Sequence, residues 1–371
     1  MAKHSRFGAS SSHRWLACPA SIKEEANMPS HSSVFAQEGT CAHEVADQCL
    51  KNDKAAAEFI GETIEGIVVT EEMAGYVQEY IDYIEDIRAQ YSDAILLHEQ
   101  RVDYSNVAPD GFGTLDAAII VPSKCLVHIF DLKYGKGIRV EATNNTQAMF
   151  YALGLLNEYS WLYDLDLWHI HICQPRLRNF SEWDTTANNL HAWKRQFVIP
   201  MVNDALSDKP TYNPSDETCK WCKAKANCPA LHEYIKKNVT DTFDNLTGEI
   251  SEVTDEDKRR LLDNKELYMS LLTAVEDEVY SRISAGGEFS GYKLILGRST
   301  TKWLDTAEDA LAKKYGEDIY NKKMIGITEA RKLLTKAELD QYTAKLTGNP
   351  KLVKDSVKGE PLILSFFDKL P

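Results

Sequence analysis

The densest chemical signal in the 371-residue sequence is Asp131-Leu132-Lys133, at the end of an apolar run. The run before it, Cys125-Leu-Val-His-Ile-Phe130, alternates apolar and polar residues and is rich in β-branched and aromatic types, which predicts a strand. Side chains two apart on a strand share a face, so Asp131 and Lys133 project together from its end. A carboxylate and an ammonium so placed can hold a divalent metal and polarise an attacking water. In isolation the same pattern is a surface ion pair ahead of the Gly135–Gly137 turn. Its company matters: His43 lies upstream, Gly113-Thr-Leu-Asp116 on the preceding strand, and Gln147-x-x-x-Tyr151 follows. Asp116 and Asp131, on strands joined by Pro122-Ser-Lys, can reach one end of a hairpin. Two carboxylates that close repel and need a cation, a shared proton or water. Mg²⁺, with hard oxygen ligands and retained waters, suits such a site. Taken singly, the aspartates are strand ends, His43 a packed or capping histidine, and Gln147 and Tyr151 ordinary helix packing.

Eight cysteines form a second signal. Cys219-Lys-Trp-Cys222 and Cys228-Pro229 supply three clustered thiols, and a closed four-thiolate site needs one more. Cys18 is the candidate, because it too precedes a proline and could meet the later segment across the core. On chemistry alone Zn²⁺ and a [4Fe–4S] cluster both fit. Cys41, Cys49, Cys125 and Cys173 fall within predicted helices or strands and read as buried small apolar residues.

The elements that must position these groups follow from periodicity. Ser10, Ser11 and Ser12 are candidate caps for a short helix carrying Trp15 and Leu16, ended by Cys18-Pro19. Glu38 to Leu50 predicts a helix with Thr40 as cap and His43 in its first turn. Apolar residues at three- and four-residue spacing predict an amphipathic helix over Thr70–Tyr91. Strands are expected over Ala94–Val102, Phe112–Val121 and Cys125–Lys133. A helix then spans Thr143–Tyr159, with Gln147 and Tyr151 one turn apart. A strand over Leu165–Cys173 and helical structure over Asn188–Leu206, interrupted at Pro200, complete the core. Beyond an acidic linker (Thr240–Thr254) lie a long helix over Asp255–Ser284 and a short strand over Tyr292–Leu296. The loop Gly297–Trp303 reads equally as a DNA-contacting turn or an exposed basic loop, and Leu362–Phe367 as a packed terminal strand more than as a peptide that docks on a sliding clamp.

The length favours two domains: residues 1–240 as an α/β unit and residues 255–371 as a mostly helical one. No apolar run is long enough to span a bilayer, and the polar start Met-Ala-Lys-His-Ser-Arg lacks a signal-peptide core, which places the protein in the cytoplasm, away from membranes. The net charge of −14 argues against a broad basic surface. It does not exclude nucleic acid, since local potential and bridging cations decide binding. Basic residues recur at Lys133, Lys136, Arg139, Arg176, Arg178 and Lys220–Lys225.

The order His43, Gly113-x-x-Asp116, Asp131-x-Lys133, Gln147-x-x-x-Tyr151 resembles the RecB-type branch of the PD-(D/E)xK nucleases. The whole chain is also similar to a phage and prophage group that starts with S-S-x-R-W-L-x-C-P-x-S, here Ser11–Ser21, followed by E-G-T-x-x-H, here Glu38–His43. Asp131 stands where many relatives carry Glu, though RecB-like members often carry Asp. The resemblance covers roughly residues 11–235 and implies a restriction-endonuclease-like core, a mixed sheet flanked by helices. It implies Mg²⁺ or Mn²⁺ held by Asp116, Asp131, His43 and the backbone carbonyl of Leu132. Lys133 would orient the water and stabilise phosphate charge, Gln147 and Tyr151 would line the DNA path, and Glu99 would act through an outer-shell water. Several RecB-type nucleases also carry a [4Fe–4S] cluster on one cysteine before the core and a C-x2-C-x5-C group after it. That places iron rather than zinc on Cys18, Cys219, Cys222 and Cys228. The expected activity is exonucleolytic DNA hydrolysis on linear, end-containing or single-stranded DNA, alongside phage replication or recombination proteins. An endonuclease on the same site and a non-catalytic DNA-binding scaffold are the alternatives.

Overall fold

A computed structural model describes residues 5–26, 28, 34–243, 255–294 and 335–336. The chain divides into two compact units, Met1–Leu294 and Ile295–Pro371. The helices after residue 255 therefore belong with the first unit, and the boundary lies later than the expected gap between 240 and 255. The Gly297–Trp303 loop, Leu362–Phe367 and most of the anticipated helical domain lie outside the described residues, as does most of the Thr240–Thr254 linker.

The helices are α1 (Ser12–Ala17), α2 (Ser21–Glu24), α3 (Val34–Asn52), α4 (Glu71–Arg88), α5 (Thr146–Tyr159), α6 (Ala187–Trp193), α7 (Ile199–Ala205), α8 (Asp216–Cys219), α9 (Pro229–Phe243), α10 (Asp255–Asp263) and α11 (Lys265–Ser284). A two-stranded ribbon pairs β1 (Thr63–Ile64) with β2 (Ile67–Val68). The main sheet comprises β3 (Ile95–Asp103), β4 (Phe112–Val121), β5 (Leu126–Leu132), β6 (Leu167–Gln174) and β7 (Asn179–Thr186), in the order β3-β4-β5-β6-β7. All pairs are antiparallel except β5–β6, whose parallel register requires a crossover, and α5 supplies it. The fold is thus α/β, with a mixed five-stranded sheet flanked by helices.

Each face of the sheet has its own core. On one side α5 packs Phe150, Leu153 and Leu155 over Leu115, Ile120, Ile129 and Ile170, with Trp15 of α1 and Leu190 of α6. On the other, α3 and α4 lay Val45, Val77, Tyr80 and Ile84 over Ala117, Ile119, Phe130 and Cys173. β5 is buried along its whole length, as the strand between two helical layers must be.

Several local expectations change. α3 begins at Val34, so Thr40 is not a cap; its hydroxyl donates to the Ala36 carbonyl one turn back (3.1 Å), and His43 lies deeper in the helix than its first turn. Ser11 takes the N-cap position of α1 without a side-chain cap, while Ser12 Oγ meets Thr146 Oγ1 at 2.7 Å and ties α1 to the start of α5. Around Pro200 the helix stays continuous through a π turn at Lys194–Val198. That turn accommodates the missing N–H and the ring clash that proline imposes on an α-helix. The long helix after residue 255 breaks at Asn264, and Tyr292–Leu294 form no strand.

Candidate metal centre and cysteine cluster

Strand geometry at one point of the sheet creates the candidate centre. Residues two apart on a regular strand face the same way. On β4, however, Leu115 packs in the α5-side core and Ala117 in the α3–α4 core. On β3, Leu97 and Val102, an odd number apart, both face α5. Both strands turn over between these residues, at Asp116 and Glu99. The β3–β4 ladder steps from His98↔Ala117 to Gln100↔Leu115, and Glu99 has a left-handed φ of 40°. The β4–β5 ladder begins only at Ala117↔Phe130, so Asp116 and Asp131 lie just beyond the last paired residues. Asp116 Oδ2 instead accepts the Leu132 N–H at 2.7 Å.

α3 delivers His43 into this opening, with Nδ1 3.0 Å from Asp116 Oδ1. Ligand atoms of His43, Glu99 and Asp116 all lie within 4.8 Å of one another. One turn further along α3, Asp47 Oδ1 meets His98 Nδ1 at 2.5 Å, next to Glu99. On the other side, Lys133 Nζ lies 2.7 Å from Asp131 Oδ2 and donates to Gln147 Oε1 at 2.9 Å. Gln147 Nε2 in turn donates to Tyr151 OH at 2.8 Å. Gly113 lets this last ring in, because a Cβ there would stand 2.8 Å from Tyr151 Cε1. The six side chains singled out from sequence thus form two adjoining groups, His43 with Asp116 and Asp131 with Lys133, Gln147 and Tyr151. Asp131 lies outside the 4.8 Å group that His43 and Asp116 form with Glu99, and the one-turn pairing of Gln147 with Tyr151 holds.

Burial and charge set the protonation states. Burial opposes charge on His43, but Asp116 beside it more than offsets this and raises its pKa. Burial likewise opposes the Asp116 carboxylate, yet His43 and then Lys133 hold its pKa below the usual value. Asp131, 1% exposed, is pushed up by burial, against the pull of Lys133 and with the repulsion of Asp116. Burial would discharge Lys133, but Asp131 and Asp116 keep its pKa raised. Glu99 is pushed up to about 7 by burial and then by Asp116. Neither Asp131 oxygen accepts a well-directed hydrogen bond, despite the close lysine. Buried carboxylate oxygens in that condition are costly, and a hard cation satisfies them. The donor set of carboxylates plus one imidazole fits Mg²⁺ and, with its nitrogen, Mn²⁺ somewhat better.

The residues beyond this centre are mostly neutralised. Lys136 pairs with Glu72 (3.2 Å), Arg139 with Glu141 (2.8 Å) and Arg176 with Glu38 (3.3 Å), the last also stacking on Tyr134. Of the expected basic groups, Lys136, Arg139 and Arg176 are therefore answered by acids, whereas Lys225 donates to the Lys220 carbonyl and Ser270 Oγ.

Cys18, Cys219, Cys222 and Cys228 line one small cavity, with Arg14, Glu24 and Tyr212 around it. Hydrogen bonds hold the N-terminal segment to the later one: Ala20 N–H to Thr211 O (3.1 Å), Asn213 Nδ2 to Ala17 O (3.1 Å), Arg14 Nη1 to Trp221 O (3.1 Å) and Lys223 N–H to Glu25 Oε1 (2.7 Å), while Arg14 also pairs with Glu25 (2.6 Å). Leu267 of α11 packs on Cys219 and Cys228. Burial raises the thiol pKa of Cys18 and Cys219, and that of Cys222 to about 12. Cys41, Cys49 and Cys173 are buried in the α3–α4 core, as expected. Cys125 departs from that expectation: half-buried, it closes the β4–β5 turn at φ 52°.

From sequence, Glu99 is expected only at an outer-shell water, and no motif marks Asp47 or His98. The i, i+4 spacing of His43 and Asp47 was the one available signal for the latter pair. In class, the chain is a helix-flanked mixed-sheet α/β protein with a histidine–carboxylate–lysine cluster where two strands turn over. Residues 4–360 match the family described as "Protein of unknown function (DUF2800)", and the chain belongs to that family.

Proposed function

We propose that this protein is a metal-dependent deoxyribonuclease that hydrolyses DNA phosphodiesters from ends, on a RecB-like PD-(D/E)xK core. The observation that carries the reading is the convergence of Asp116, Asp131 and Lys133 where the β4–β5 ladder opens, with His43 and Glu99 closing the acidic side. Mg²⁺ or Mn²⁺ held by Asp116, Asp131, His43 and the Leu132 carbonyl would supply Lewis-acid polarisation of the phosphate and of a bound water. Lys133 stays protonated, so it acts as a charge stabiliser toward the phosphate and not as the base. Gln147 fixes the lysine through its amide oxygen, and Tyr151 fixes Gln147. Glu99, which titrates near neutrality, is the group best placed to exchange a proton.

The four-cysteine cavity supports a second part of the reading: Cys18, Cys219, Cys222 and Cys228 hold a metal group that clasps the chain. The preference for [4Fe–4S] over Zn²⁺ rests on the resemblance of the spacing. End-labelled linear and closed circular DNA, incubated with Mg²⁺, Mn²⁺ or chelator, test the activity. Loss of the linear substrate alone supports an exonuclease, and nicking of circles an endonuclease. Binding without cleavage under every condition would leave a scaffold.

A further inference from the structure

Away from this centre, a row of donors crosses three strands on the α4 side of the sheet. His128 of β5 is the register partner of His169 of β6, and His169 is the partner of Asp184 of β7. The His128 and His169 rings lie 4.9 Å apart, and His169 Nε2 lies 3.7 Å from Asp184 Oδ1.

A hydrogen-bond chain fixes the tautomer of His128. Tyr83 OH donates its one proton to Glu182 Oε1 at 2.6 Å. Its oxygen can then only accept from His171 Nδ1, 2.9 Å away. His171 is neutral, since burial lowers its pKa to about 3, so its Nε2 is a lone pair. That lone pair accepts from His128 Nδ1 at 3.0 Å. His128, lowered by burial to about 4, is neutral too, and its Nε2 is left as a bare acceptor. This nitrogen has no hydrogen-bond partner, in a residue only 4% exposed. A buried imidazole whose N–H is anchored and whose other nitrogen is bare has the arrangement of a metal-ligating histidine with its outer support.

We propose that His128 Nε2, His169 and Asp184 form a binding site for a divalent transition-metal cation of the zinc and nickel class, separate from the Asp116–Asp131 centre. Neutral imidazoles with one carboxylate select such metals over Mg²⁺. The outer strands of a three-strand row stand roughly 10 Å apart, a span that an imidazole, a carboxylate and two metal–ligand bonds can bridge. His169 is partly exposed and Asp184 exposed at the rim, so the site needs rotamer changes that bring both over the buried nitrogen. A cation there would pin edge strand β7 to the middle of the sheet.

The test is a calorimetric titration of Ni²⁺ into full-length protein whose oxygen-rich centre is kept saturated with Mg²⁺ and whose cysteine-bound metal has been assayed. The parent should bind one more Ni²⁺ per chain than His169→Ala, with affinity reduced at least tenfold in Asp184→Asn. Tyr83→Phe, which breaks the supporting chain, should weaken binding 10- to 100-fold. DNA cleavage in Mg²⁺, if present, should be unchanged in His169→Ala and Asp184→Asn, as should the cysteine-bound metal. Equal stoichiometry and affinity in parent, His169→Ala and Asp184→Asn would overturn the site and leave His128 Nε2 to a buried water. Because the readout is Ni²⁺ binding, it stands or fails independently of the nuclease reading.

Discussion

At the scale of residues, Lys133 carries the sharpest prediction. Its ammonium sits between Asp131 and Gln147 and is kept charged by two aspartates. Lys133→Met should leave Mn²⁺ binding largely intact, yet lower the cleavage rate by about 10²- to 10³-fold, the usual loss for one charge stabiliser. Asp116→Asn and Asp131→Asn should lower both. A Lys133→Met protein that cleaved at the parental rate would remove the lysine from the proposed chemistry. Gly113 gives a second prediction. Alanine there would push into the Tyr151 ring at 2.8 Å, between a buried helix and a strand. It should cost about 1–3 kcal/mol in denaturant unfolding, with the ring displaced from Gln147. A Gly113→Ala protein as stable as the parent would show that the ring moves freely.

At the scale of elements, the histidines of β5 and β6 make stability depend on pH. His128 and His171 have folded pKa values lowered to about 4 and about 3, below the unfolded value near 6.5. Between those values the unfolded chain binds more protons, so stability is full above about pH 6.5 and falls as pH drops toward 4. In the metal-free protein, urea midpoints should fall over that window, and His128→Asn should flatten the slope. A midpoint independent of pH from 7 to 4.5 would contradict the buried neutral pair. These elements also show what could be read without coordinates. β4 and β5 announce themselves because they are apolar, buried on both faces and bounded by Pro122 and Gly135. β7 does not: Asn179–Thr186 is an edge strand in which Glu182 and Asp184 break up any apolar run. α9 is hidden by its cysteine-rich approach. Asp116, Asp131, Lys133, Gln147 and Tyr151 were legible because their spacings are local. The place of Glu99 was not, since it depends on β3 and β4 turning over together, a property of paired backbones.

At the scale of the molecule, the cavity of Cys18, Cys219, Cys222 and Cys228 joins segments about 200 residues apart. Among the described residues no helix is long and apolar enough to cross a membrane. A clasp over so long a loop restricts the unfolded chain strongly, by the chain-entropy reasoning used for disulfides. Anaerobically purified protein should be brown, with four iron and four sulfide per chain. Cys18→Ala should lose the colour and lower the melting temperature, whereas Cys173→Ala, outside the cavity, should keep the colour. A colourless preparation with stoichiometric zinc would replace iron but keep the clasp; metal retained in Cys18→Ala would remove Cys18 from it.

The nuclease reading meets its most direct test in one time course: end-labelled linear DNA with the parent protein and with Asp131→Asn, each in Mn²⁺ and in chelator. Asp131 contributes the buried oxygens without a well-directed partner, and its amide isostere keeps the shape while removing the charge. Labelled mononucleotides or short products should appear with the parent in Mn²⁺ alone. Cleavage by Asp131→Asn at the parental rate, or by the parent in chelator, would contradict a metal-dependent nuclease at this site.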